Sequence, residues 1–112
     1  MKDESRKLLY DLLQAIAEIE IFVVDLDYEA FLQDVKSQRA VEREFEIIGE
    51  ALNRIKRVDE ELLESISEHH KIIGFRNILA HGYDLVDQML LWKAIKNHLP
   101  ILKQEVERWI LQ

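Results

Sequence analysis

Apolar residues recur at intervals of three and four along most of this 112-residue chain, which limits its fold more than any other feature. The clearest seam has 4,3,4,3 spacing and consists of Val41, Phe45, Ile48, Leu52 and Ile55. Such spacing places the side chains on one face of an α-helix. Few residues break the pattern, with three glycines and one proline, and no segment has the alternation of a strand. The sequence therefore predicts an all-α fold, a four- to five-helix, largely up-and-down bundle.

Helix boundaries are predicted from the ends of the apolar pattern and from residues that can cap a helix N-terminus. The expected segments are about 4–25, a short helix opened by Asp27, about 38–57 behind Ser37, a short helix opened by Asp59, about 68–81 behind Ser67, and about 85–111 behind Asp84. Gly82 is the expected end of the helix over 68–81. Pro100 should kink the last helix near Lys96, because proline removes one helical hydrogen bond.

The last two long helices should each bury one apolar face. In the helix over 68–81 the inward residues are expected to be Ile72, Phe75, Ile78 and Leu79. In the last helix they are expected to be Val86, Met89, Leu90, Leu99, Leu102, Val106 and Ile110.

Length and composition predict one domain over residues 1–112, large enough for its own core. The absence of cysteine excludes disulfides, thiol nucleophiles and cysteine-based zinc sites. The apolar run Ile19–Leu26 is interrupted by Glu20 and Asp25, so we expect no membrane span, and a cytoplasmic protein is the default expectation.

Charge is distributed unevenly along the chain. The net charge is −7, which disfavours contact with nucleic acid. Residues 69–104 nevertheless carry five bases against two acids, a net charge of +3. This segment is either a local patch that tolerates anions or a chance cluster in an acidic protein.

The positive segment contains a dense group of polar side chains, Arg76, Asn77, His81 and Tyr83. Asn77 and His81 are four residues apart and share a helix face, whereas Arg76 and His81 are about 140° apart around a helix. One chain would therefore bring Arg76 and His81 together only if the helix frays near Gly82. Alternatively, two copies of the motif meet across a two-fold axis.

These residue types suit cleavage of RNA without a metal ion. A histidine can take the proton of a 2′-hydroxyl or protonate the leaving 5′-oxygen. Arg76 can donate to phosphoryl oxygens, Asn77 can orient the phosphate or His81, and Tyr83 can bind a phosphate or stack on a base. The alternative is that Arg76 and His81 are ordinary surface or ion-paired residues.

Other polar residues give weaker signals. Glu46 and Glu50 are four residues apart and could orient Arg76 or His81 if their helix packs beneath the motif; a solvated face is the alternative. His69, His70 and His98 lack the spacing of a metal site, so we expect no metal and interpret them as surface or dimer-contact residues.

The residues Arg76-Asn77-x-x-x-His81-Gly82-Tyr83 resemble the R-x4-H-x-Y motif of HepT-like proteins of the HEPN superfamily. Three further segments are similar to the family pattern: Ile48-Gly49-Glu50-Ala51, Gly74-Phe75-Arg76-Asn77 and Leu99-Pro100-x-Leu102.

The resemblance implies a homodimeric, metal-independent ribonuclease toxin of a toxin–antitoxin pair, with a composite cleft and no cofactor. It implies catalytic roles for Arg76 and His81, a supporting role for Asn77, and Tyr83 as the site of AMP transfer. The implied partner is an MNT-type nucleotidyltransferase antitoxin that uses ATP. The alternative is a non-catalytic dimeric scaffold that binds a nucleotide or that partner.

Overall fold

The computed structural model describes residues 1–80 and 87–112, and every regular element within these ranges is a helix. In chain order they are α1 (Asp3–Val23), α2 (Tyr28–Gln33), α3 (Val35–Val58), α4 (Glu60–Glu64), α5 (His69–Ala80), α6 (Gln88–Lys93), a π-helical segment (Ala94–His98) and α7 (Leu99–Ile110). The predicted all-α bundle is confirmed. No helix within the described ranges is both long and apolar enough to span a membrane.

Helices α1 and α3 are antiparallel and form the centre of the bundle. Lys2, just before α1, donates to the carbonyl of Val58 at the end of α3. Glu18, near the other end of α1, is hydrogen-bonded to Glu44 in the first half of α3. The apolar seam of α3 from Val41 to Ile55 is fully buried, as its spacing predicts.

Helix α7 closes the bundle against α1, also antiparallel. Arg6 donates to the carbonyl of Ile110 at 3.2 Å, and Lys103 lies 3.1 Å from the carboxylate of Glu20. Leu99, Leu102 and Val106 bury the inner side of α7 in the shared core, which confirms the predicted face.

The helix caps differ in part from the prediction. Asp27 and Asp59 accept from backbone N–H groups at the starts of α2 and α4, as expected. Ser37 does not cap α3, because Asp34 begins that helix earlier and accepts from the Ser37 N–H and hydroxyl. Ser67 donates instead to Glu105 of α7, through both its N–H and its hydroxyl at 3.1 Å.

The last predicted helix begins later than expected. Asp87 has an extended backbone and accepts from the Met89 N–H, so α6 starts at Gln88. The predicted helix over 85–111 is therefore wrong at Asp87. The proposed cap Asp84 and the proposed helix end Gly82 lie outside the described residues.

The last helix is irregular just before Pro100. The π-helical segment Ala94–His98 precedes α7, and the Leu99 N–H donates to the carbonyl of Ala94, five residues back. Pro100 has no N–H to offer the carbonyl of Lys96, so regular α-helical bonding stops there. The irregularity includes Lys96, where the kink was predicted.

Three residues predicted to be buried are exposed. Ile78 is 40% exposed, because α5 turns Ile72, Phe75 and Leu79 toward the core. Met89 and Leu90 are also exposed, because in the short helix α6 the inward position is taken by Leu91. Val86 lies outside the described residues.

Candidate functional site

Helix α5 carries Arg76 across the backbone of α3. At their crossing, a Cβ built on Gly49 would overlap Cβ and Cγ of Arg76 and would lie 3.4 Å from its Cδ. One turn away, the rings of Phe45 and Phe75 pack with their centroids 5.8 Å apart. Gly49 therefore allows the closest approach of the two helices and places the Arg76 stem directly on α3.

The Arg76 guanidinium is held by Glu50. An Arg76 Nη2 lies 3.2 Å from Glu50 Oε2, and the other carboxylate oxygen of Glu50 lies 3.3 Å from Arg54 Nε. The side chain of Arg76 is 31% exposed, so its remaining donors can reach a ligand. The structure thus places Glu50 where it can orient Arg76, one of the two arrangements considered from the sequence.

Glu46 is placed differently. It lies 3.2 Å from Arg43, three residues earlier on the same helix, and contacts that arginine rather than Arg76. Glu46 and Glu50 therefore form two ion pairs of equal length about one turn apart on α3, of which only the second includes a residue of the motif.

The motif is described only in part. Asn77 is exposed next to Arg76, and its side chain makes no hydrogen bond to the part of the chain that the structure covers. His81 and Tyr83 lie outside the described residues. Their predicted roles and the distance between Arg76 and His81 therefore stay predictions.

A groove of about 600 Å³ runs along α1 and α3 and reaches Arg76. This size is ordinary for a ligand site. Its walls carry three arginines, Arg43, Arg54 and Arg76, and five carboxylates, Asp11, Glu18, Glu44, Glu46 and Glu50. The acidic majority makes this side of Arg76 less favourable for a polyanion than the arginine alone would.

Glu44 lies almost buried in the wall of this groove, 4% exposed. Burial raises the pKa of Glu44 to about 7, and the hydrogen bond to Glu18 adds to the rise. The same hydrogen bond lowers the pKa of Glu18, so the two carboxyl groups share one proton, held by Glu44. The sequence reasoning missed this pair, although Glu44 interrupts the apolar stripe between Val41 and Ile48.

The three histidines outside the motif differ in burial. His69 is 4% exposed, and burial together with the neighbouring His70 lowers its pKa. His98 Nδ1 lies 2.8 Å from an oxygen of buried Glu68. The interpretation as a surface or dimer-contact residue is wrong for His69, because the start of α5 lies in the core, where Ile66 and Ile72 are also buried. His98 is partly buried against Glu68, and His70 is exposed.

The net positive charge of residues 69–104 is partly neutralised in the folded protein by nearby carboxylates. Three of the segment's five bases contact carboxylates that lie outside the segment: Lys71 contacts Glu68, Arg76 contacts Glu50, and Lys103 contacts Glu20. Over residues 1–80 and 87–112, no three histidine, aspartate or glutamate residues are grouped to hold a metal ion.

Comparison with known proteins identifies a family for this chain. The family described as "Ribonuclease HepT-like" matches residues 12–109. A Methanocaldococcus jannaschii protein named "Putative RNase MJ1380" is 37% identical over 106 residues, 95% of this chain and 96% of the relative. "Probable ribonuclease HepT" of Thermococcus cleftensis is 38% identical over 108 residues, 96% of this chain and 97% of the relative. No solved structure gives a significant match.

An all-helical bundle with a partly exposed arginine and an exposed asparagine on α5 fits the class of protein predicted from the motif. The match over most of the chain settles that class, and the protein belongs to the HepT-like ribonuclease family.

Proposed function

We propose that this protein is a metal-independent endoribonuclease toxin of a toxin–antitoxin pair, which cleaves RNA at a cleft shared by two copies of the chain. Two findings support the proposal: the family match, and the names of the relatives, which describe ribonucleases. The single structural observation that carries it is Arg76, seated on Gly49, held by Glu50 and still partly exposed beside Asn77.

In the proposed reaction His81 removes the proton of a ribose 2′-hydroxyl, and the freed oxygen attacks the adjacent phosphorus. The bond to the 5′-oxygen breaks, and a protonated His81 of the second copy supplies the proton that this leaving oxygen needs. Arg76 donates to the phosphoryl oxygens as negative charge grows on them. The products end in a 2′,3′-cyclic phosphate and a 5′-hydroxyl, and the reaction needs neither metal nor cofactor.

Helical geometry supports the proposal of a shared cleft. Side chains five residues apart on one helix point about 140° apart, so Arg76 and His81 of one chain do not converge unless the helix frays. A two-fold axis beside the end of α5 would bring each Arg76 toward the partner's motif. Light scattering of the purified protein should therefore give the mass of a dimer.

The test is cleavage of a single-stranded RNA by purified protein in excess chelator. We expect cleavage with cyclic-phosphate ends, and we expect His81→Ala and Arg76→Ala to lose it. Cleavage retained in His81→Ala would remove that residue from the mechanism. Cleavage by the unaltered protein that disappears with chelator would exclude the metal-independent reaction.

We further propose that an MNT-type nucleotidyltransferase silences the enzyme at Tyr83. The Tyr83 hydroxyl oxygen attacks the α-phosphorus of ATP, pyrophosphate leaves, and AMP remains attached through a new phosphodiester. The added negative charge and bulk would exclude an RNA backbone from the cleft. Incubation with that partner and ATP should add the mass of AMP, and Tyr83→Phe should prevent the addition. Modification that persists in Tyr83→Phe would refute the site.

One observation favours a second candidate, a non-catalytic dimeric scaffold for a nucleotide or the nucleotidyltransferase. The groove that reaches Arg76 carries five carboxylates, which disfavours a polyanion but leaves room for one phosphate group on Arg76. The scaffold predicts ATP or AMP binding that depends on Arg76, without RNA cleavage by unmodified protein. Cleavage that depends on both Arg76 and His81 would exclude it.

A further inference from the structure

The position of the Arg76 guanidinium depends on two neighbouring residues of α3. We propose that Gly49 and Glu50 form a cradle that fixes the orientation of Arg76, and that Glu50 acts in RNA cleavage as a positioning residue rather than as a competitor of the phosphate. The kinetic part of this proposal rests on the proposed ribonuclease function; the structural part does not.

The first element of the cradle is the missing side chain of Gly49. Since a Cβ there would overlap Cβ and Cγ of Arg76, the stem of the arginine rests on the α3 backbone. These two atoms have little freedom to move, because Cβ is fixed by the backbone of α5 and Cγ is only one bond further. Gly74, on the same helix as Arg76, has open space within 4 Å of the corresponding position. Of these two glycines in the described part of the chain, Gly49 alone is closely packed.

The second element of the cradle is the carboxylate of Glu50, which bridges two arginines. Its Oε2 lies 3.2 Å from Arg76 Nη2, and its Oε1 lies 3.3 Å from Arg54 Nε. One carboxylate oxygen of Glu50 thus contacts Arg54, and the other contacts Arg76. The three side chains are 31–59% exposed, so solvent screens the pairs and their contribution to stability is small. Their consequence is geometric: one edge of the guanidinium is directed toward α3.

An arginine held in this way can still bind a phosphate. The guanidinium has five N–H donors in a rigid plane, and only one contact, through Nη2, joins it to a carboxylate among residues 1–80 and 87–112. A phosphodiester can therefore approach another donor while Glu50 keeps its own. Without Glu50, the partly exposed side chain would sample other rotamers, and a misplaced donor is costly at the transition state.

The chain contains a matched control. The Arg43–Glu46 pair has the same 3.2 Å separation and lies on the same groove about one turn away, but Arg43 is 70% exposed and is not part of the motif. Glu46→Gln removes one carboxylate charge from the groove, as Glu50→Gln does. The two variants therefore share any general electrostatic effect and differ in the effect on Arg76.

The kinetic experiment compares these two variants with unaltered protein on a single-stranded RNA. We expect Glu50→Gln to lower kcat about 10- to 100-fold with KM changed less than about threefold, and Glu46→Gln to leave kcat within about twofold. Glu50→Ala should lose more than Glu50→Gln, which keeps one acceptor for Arg76. Faster cleavage or a lower KM in Glu50→Gln but not in Glu46→Gln would overturn the proposal, because Glu50 would then be a competitor of phosphate.

A second measurement does not depend on cleavage. In NMR spectra of the arginine side chains, a held guanidinium rotates slowly and gives a shifted Nε–H signal. We expect the Arg76 signal to move toward that of a free arginine in Glu50→Gln and Gly49→Ala, and to stay in place in Glu46→Gln. If Arg76 keeps its signal in both cradle variants, the cradle is refuted. If the signal responds but unaltered protein cleaves no RNA, the proposed function fails and the cradle stands.

Discussion

The two ends of α5 contain similar residue types in different surroundings. At the N-terminal end, Glu68 and His69 are buried, and Glu68 contacts His98 next to α7. Toward the C-terminal end, Arg76 is partly exposed and Asn77 is exposed. The comparison teaches that residue type alone does not identify a site. The first end uses its polar groups in contacts between segments of the chain, whereas the second leaves them open to solvent.

The largest expected difference between the two ends is catalytic. Arg76→Ala should lower the rate of RNA cleavage by about 10³-fold, since it removes the donor that meets charge on the phosphate. Lys71→Ala, which removes a cation from the first half of the same helix, should change the rate less than about twofold. Initial rates on one RNA substrate measure both. Equal losses would mean that α5 acts only through its total charge, and the comparison would fail.

The N-terminal end should matter for stability instead. Glu68 and His98 lie 2.8 Å apart in a mostly buried place, so Glu68→Ala leaves His98 without its partner there. We expect a loss of about 1–3 kcal/mol in the free energy of unfolding, measured with urea, and a kcat within about twofold of the unaltered protein. A large loss of kcat in a folded variant would place this end in the reaction after all.

The two glycines near Arg76 give a smaller and sharper test. Gly49→Ala should cost about 1–3 kcal/mol, because Arg76 and α5 must move away from α3. Gly74→Ala meets no atom within 4 Å and should stabilise α5 by up to about 1 kcal/mol, because alanine favours the helix. Urea unfolding of both variants measures this. Similar values for the two would remove the close approach at Gly49 from the account.

The smallest expected effect concerns pH. Folded Glu44 keeps its proton up to a pKa of about 7, above the ordinary value of 4.5, so its contribution is present in acid and is lost as the pH rises through 7. The effect of His69 on stability has the opposite sign: its pKa is lowered, and stability is lost as the pH falls. Between pH 5 and 8, the free energy of unfolding should fall by about 2 kcal/mol less in Glu44→Gln than in unaltered protein. The loss of stability in acid, which comes from His69, should remain in this variant.

For that pH comparison, unfolding is measured in urea at several pH values, with Glu20→Gln as a control on the exposed side of α1. A decline between pH 5 and 8 that is the same in Glu44→Gln and in unaltered protein would show that the carboxyl pair is not its source.

Much of the fold could be predicted from local sequence, and the failures have physical reasons. The seam of α3 and the Pro100 irregularity depend on spacing and on one missing N–H, which a sequence displays directly. Asp34 and Ser37 are three residues apart, and either residue type can cap the N-terminus of α3. Side-chain chemistry alone therefore does not show which of them is the cap. The burial of His69 and the contact of His98 with Glu68 depend on tertiary packing, which no single segment of sequence displays.

For the candidate site, the sequence indicated which residues to consider but not which of them contact each other. The motif identified Arg76 and Asn77, and the helical spacing identified Glu50 as a possible neighbour. The choice between Glu46 and Glu50 required the crossing of α3 and α5, which is fixed by the absence of a side chain at Gly49. The Glu18–Glu44 pair joins two helices and appears in no single segment.

We propose that RNA meets the Arg76 end of α5 and not the His69 end. Chemical-shift mapping with a single-stranded RNA that carries 2′-O-methyl groups tests this directly, because such an RNA binds but has no free 2′-hydroxyl to attack. We predict shifts at Arg76, Asn77 and Glu50, with His69 and His98 unchanged. Shifts concentrated at His69 and His98, with Arg76 unchanged, would contradict the account.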